Sequence, residues 1–147
     1  MTSKGLKVIE FNARFGDPET QVLIPRLQTP LATLLYQAAT DNLDDAVLNW
    51  SDESAVTVVV ASEGYPESPK TGKHVAIPTC ADVTFYHAGT SQADSDLLSS
   101  GGRVLTVTGL GVNLQEARDK VYGWLPKVEI ENSFYRSDIA LKASRGE

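Results

Sequence analysis

The chain has 147 residues, 41% of them hydrophobic, and a formal net charge of −6. It has enough apolar material to bury one core and too much for a disordered chain, while 19 acidic against 13 basic side chains, with no basic run, exclude broad contact with nucleic acid. The single cysteine, Cys80, excludes an internal disulfide and Cys-x-x-Cys metal sites, and no stretch approaches the roughly 18 apolar residues of a membrane span or a signal core. The expectation is a cytoplasmic protein of one domain, or one domain plus part of another.

In chain order, Lys7–Phe15 reads as the first strand. Alternation puts Ile9, Phe11, Ala13 and Phe15 on one apolar face and Glu10, Asn12 and Arg14 on the other, each about 6.6 Å from the next. A carboxylate and an amide oxygen suit a hard cation, and a guanidinium beside them suits a phosphate or acyl phosphate. A solvated polar face on an edge strand would give the same triplet. The next residues add weight to the cation-and-phosphate reading: Gly16 permits a turn, Asp17 suits an N-cap and Pro18 the first helical position, so an anion-favouring helix mouth is expected beside the triplet.

Glu19–Gln28 is predicted as a short helix. Thr29 and Pro30 open a second, in which Leu31, Leu34, Leu35 and Ala38 repeat at helical spacing as core. Ala55–Ala61 is β-branched and nearly all apolar, the pattern of a strand buried on both faces. A Gly- and Pro-rich loop, 64–72, leads to a short strand at 74–77 and another at 83–88. Gly101-Gly102 reads as a hairpin turn before a strand at 103–108. Asn113 caps a helix with Glu116 as its capping-box partner, and Leu114, Ala117, Val121, Trp124 and Leu125 form its buried stripe. One or two last strands, near 128–130 and 134–135, precede a frayed tail.

These elements predict an α+β fold in two parts: residues 1–52, one strand with helices, and residues 53–147, a β-rich, barrel-like and mostly antiparallel domain with one helix. One strand cannot make a sheet, so either 7–15 pairs with the second part or its partners are missing. The second possibility would make the chain a fragment.

These residues resemble a known family. Lys7–Gln21, with Arg14-Phe15-Gly16-Asp17-Pro18-Glu19-Thr20-Gln21 at its centre, is similar to the last active-site segment of the glycinamide ribonucleotide synthetase (phosphoribosylamine–glycine ligase) family of ATP-grasp enzymes. Ala61–Pro66, Thr71-Gly72, Phe85–Thr90, Ser100–Leu105 and Tyr135–Ile139 resemble that family's later segments in the same order. Tyr86, Ser68-Pro69 and Ala140 depart from the family pattern, Ala140 standing where glycine is common.

The resemblance implies that residues 1–52 end an ATP-grasp core. It also implies a reaction in which ATP, glycine and 5-phosphoribosylamine give glycinamide ribonucleotide, ADP and phosphate. Glu10 and Asn12 would ligate Mg²⁺ or Mn²⁺, Arg14 would steady the acyl phosphate, and Asp17 and Glu19 would orient glycine or the amine. Arg103 is a further substrate-phosphate candidate, or a support for the interface with the core. His87 reads as a core-edge histidine, and Lys70, Lys73 and His74 as a solvated loop. The nucleotide grip would lie upstream, so the chain alone is expected to be inactive and to expose apolar surface from Ile9, Phe11, Val22 or Leu23, inviting self-association. A free-standing binding or scaffold module, and another ATP-grasp ligase with a different amine acceptor, are the rival readings.

Overall fold

The computed structural model describes Gly5, Lys7, Val8, Phe11 and residues 13–147. The core is built around β6 (Arg103–Gly111), the middle strand of a three-stranded antiparallel sheet, flanked by β1 (Ser54–Ala61) and β3 (Val83–His87). Val104, Leu105 and Val107 are completely buried, and register sets Val58 opposite Val107 and Val60 opposite Leu105. Strand β1 begins and ends within a residue of where its Val-rich run predicts.

Helix α3 (Leu114–Trp124) lies across this sheet with Ala117 and Val121 fully buried. Glycines in β6 let it approach: a Cβ at Gly109 would come within 3.0 Å of the Ala117 carbonyl oxygen, and one at Gly111 within 2.5 Å of the Ala117 nitrogen. The helix begins where predicted, with Asn113 Oδ1 accepting from the Glu116 amide at 2.9 Å. The Glu116 carboxylate accepts from Val112 N, one residue before the cap. The opposite face of the sheet carries threonines, with the Thr57 and Thr108 hydroxyls bonded at 2.7 Å.

Two small antiparallel pairs complete the β-rich part: β2 (Val75–Ala76) with β7 (Glu129–Ile130), and β4 (Thr90–Ala93) with β5 (Asp96–Ser99). The described strands are therefore antiparallel, as expected, but divide into three separate sheets instead of one barrel-like sheet. The β4–β5 hairpin is missing from the sequence reading because its turn uses Asp94 at φ 51°, not glycine. Gly101-Gly102 is not a hairpin turn, since β5 and β6 belong to different sheets. These glycines serve close approach: a Cβ at Gly102 would collide with the Tyr65 ring, and Gly89 and Gly101 stack backbone on backbone.

The N-terminal part departs most from expectation. None of the described residues within 7–15 belongs to a strand; Ala13 and Arg14 form a bend. Phe11 and Phe15 are 91% and 52% exposed, so neither is part of a buried face. The expected helix over 19–28 is one turn, α1 (Thr20–Leu23), followed by a 3₁₀ turn at Ile24–Arg26. Pro25 removes the N–H that continued helix would need. Helix α2 (Leu31–Ala39) forms, but Thr29 does not cap it; the Thr29 hydroxyl donates to Val47 O and accepts from Asn49 N.

None of the α2 leucines is buried. Leu35 is 55% exposed, and with Leu34, Leu23, Leu43, Leu48 and Trp50 it lines an apolar groove of about 480 Å³. The C-terminal segment is no frayed tail. Arg118 donates to Ser137 O and Ile139 O, Tyr122 donates to Arg136 O and accepts from Ile139 N, and α4 (Leu141–Ser144) closes the chain.

Candidate functional site

A cleft of about 500 Å³ opens between the segment 14–25 and the end of β3, with Arg14, Asp17, Gln21, Tyr86 and His87 on its walls. Arg14 is exposed and donates from Nη1 to its neighbour's carbonyl, Phe15 O, at 2.8 Å. Asp17 sits in the turn before α1 and does not cap it; its Oδ1 accepts from Gln21 Nε2 at 2.9 Å, while the Thr20 amide and hydroxyl close the turn on Gly16 O. With only four helical residues, the anion-favouring helix mouth expected here is not formed. The Gln21 side-chain oxygen, Oε1, is buried with no hydrogen-bond partner among the described residues.

Three of the residues singled out in the sequence come together at one edge of this cleft. Arg103 reaches 86 positions back along the chain to donate from Nη1 to Asp17 O at 2.7 Å, and lies 3.5 Å from the Asp17 carboxylate. Glu19 folds its carboxylate over Gly16, where a Cβ would strike it, and adds to the negative field on Arg103. Arg103 Nε donates to Tyr65 OH at 2.9 Å. That bond first, then the negative charges of Asp17 and Glu19, hold the guanidinium above its ordinary pKa against the opposing effect of partial burial.

Glu10 and Asn12 lie outside the described residues. Among the described residues no three or more His, Cys, Asp or Glu side chains come together to hold a metal ion. His87 is exposed, bonded through Nδ1 to Thr90 Oγ1 at 3.0 Å, and faces the cleft rather than the core. Sequence reading missed Tyr86 and His87 as wall residues, because alternation along β3 assigns faces but not what lies opposite the strand's end. Lys70 and Lys73 are each paired at 2.6 Å, with Glu63 and Glu131, so both charges are engaged within the surface loops. No helix among the described residues is long and apolar enough to cross a membrane.

The fold agrees with what comparison with known proteins shows. The family described as "Phosphoribosylglycinamide synthetase, C domain" matches residues 55–142, and the chain belongs to that family. It is 52% identical to the phosphoribosylamine–glycine ligase of Streptomyces coelicolor, over 98% of this chain and 36% of that protein. It is 47% identical to that of Leifsonia xyli subsp. xyli, over 97% of this chain and 36% of that protein. The crystal structure of the Thermotoga maritima phosphoribosylamine–glycine ligase superposes with a TM-score of 0.80 at 34% identity, covering 90% of this chain and 33% of that one. The chain thus spans about a third of the length of the relatives it matches.

Proposed function

We propose that this chain supplies the C-terminal portion of a phosphoribosylamine–glycine ligase, which joins glycine to 5-phosphoribosylamine at the expense of ATP in purine biosynthesis. The supporting observation is at the cleft, where Asp17 of the motif-bearing segment, with Arg14 on the same cleft wall, meets Arg103 of the family's C domain. Residues 1–52 correspond in this reading to the end of an ATP-grasp core and 53–147 to the C domain, in a cytoplasmic enzyme.

Each residue has a physical task. Activating a carboxylate by phosphoryl transfer requires positive charge where the acyl phosphate's negative charge develops. Arg14, exposed on the cleft wall and bonded through Nη1 to its neighbour's carbonyl, has donors to spare for that anion. Asp17 and Glu19 offer carboxylates to an ammonium group. Arg103 supplies positive charge beside these acids, the charge a substrate phosphate would need there. Glu10 and Asn12 carry hard oxygen donors of the kind that hold Mg²⁺ or Mn²⁺, which when bound would neutralise the ATP phosphates.

The test is reassembly. This chain, mixed with the preceding two thirds of the Streptomyces coelicolor ligase, should form ADP only when glycine and phosphoribosylamine are both present. The chain alone should form none. Turnover by the chain alone, or a well-formed complex without turnover, contradicts the proposal.

A further inference from the structure

We infer that Tyr65 is a positioning residue for this reaction: its hydroxyl anchors Arg103, which in turn fixes the Asp17–Glu19 turn at the edge of the cleft. The inference deepens the functional reading above and rests on it.

The geometry is a relay across three parts of the chain distant in sequence. The loop after β1 is folded on itself, with Gly64 at φ +82° and Ser68 N bonded to Gly64 O at 2.8 Å, and this presents the Tyr65 ring. Gly102 accepts the ring because it has no Cβ to collide with it. Ser62 locks the two segments together, its amide donating to Gly102 O at 2.8 Å and its hydroxyl to Gly101 O at 2.9 Å. The ring is therefore held on a rigid frame, and its hydroxyl accepts from Arg103 Nε.

Only one edge of the guanidinium is used by tyrosine. The other, through Nη1, reaches the Asp17 carbonyl and carboxylate. Arginine's planar fork makes both contacts at once, which a lysine cannot do. Asp17 lies in a turn whose following helix is one turn long and is held to β1 and β6 by packing. The hydrogen bond from Gln21 and the closure on Gly16 O are both local to that turn. Among the described residues Arg103 is the long-range polar tie to Asp17, and Tyr65 sets where Arg103 points.

Tyr65→Phe removes only the hydroxyl and keeps the ring that packs on Gly102. In this chain, amide hydrogen exchange at 16–21 should accelerate roughly fivefold, as expected for one lost hydrogen bond, while amides of β1 and β6 keep their protection. In the reassembled ligase kcat/KM for the amine should fall roughly tenfold, with the thermal midpoint moved by no more than about 2 °C. In an Arg103→Lys background the same change should have no further effect, because the relay is already broken. Unchanged exchange at 16–21 overturns the relay. Faster exchange with normal kinetics overturns the positioning role. A wild-type reassembly that forms the complex but does not turn over overturns instead the functional reading on which the inference rests.

Discussion

Glu116 and Lys120, one helical turn apart on α3, are joined at 2.9 Å, and the same carboxylate accepts from Val112 N ahead of the helix. The lysine first, then that backbone bond, hold the Glu116 carboxyl below its ordinary value of 4.5. A group with a depressed folded pKa stabilises fully above the unfolded value and stops doing so as pH falls through the folded one. The urea midpoint of wild type should therefore exceed that of Glu116→Gln near pH 7, and the two should converge below pH 4.5. A gap independent of pH would show that the pair contributes nothing through ionisation.

The cap of the same helix is neutral and should behave differently. Asn113→Ala leaves the Glu116 amide without its acceptor and should cost about 1 kcal/mol. In a chain of this size that corresponds to a melting point lower by roughly 2–4 °C. Calorimetry should find this loss at neutral and acidic pH alike.

Ala140 has a left-handed backbone, φ 58°, at the start of α4. An L-residue there is strained, and a glycine is not. Ala140→Gly should raise stability by about 1 kcal/mol, even though glycine frees the unfolded chain. A lower melting point for the glycine variant would contradict this account.

The apolar groove beneath α2 should make the isolated chain self-associate. Leu35 and Trp50, 55% and 43% exposed, are among its most accessible large side chains, together with Leu43 and Leu48. Light scattering should show mass rising with concentration, and Leu35→Glu should restore a monomer. A wild-type chain that stays monomeric at high concentration would contradict the prediction.

The parts of the fold legible in sequence are those whose signal is local. Strand β1 announces itself by an unbroken run of β-branched residues, and α3 by its asparagine cap and apolar stripe. Helix α2 is legible too, but its burial is not. Periodic leucines report a face that needs covering and say nothing of what covers it. Gly101 and Gly102 are legible as special, but for a different reason from the real one. They admit a neighbouring backbone at Gly89 and the ring of Tyr65, partners too distant along the chain for any local turn rule to see. At the site, motif residues Asp17 and Arg103 are each identifiable separately. Their contact, and the cleft wall contributed by His87, depend on tertiary approach.

The most direct measurement of the central claim is kcat/KM of the reassembled ligase with Arg14→Gln, compared with the same assembly carrying the wild-type chain. If Arg14 steadies the anionic intermediate, the ratio should fall roughly 100- to 1000-fold, with the complex formed to the same extent. Activity within about threefold of wild type would place the reacting anion elsewhere and contradict the account, since a factor that small is worth less than about 1 kcal/mol.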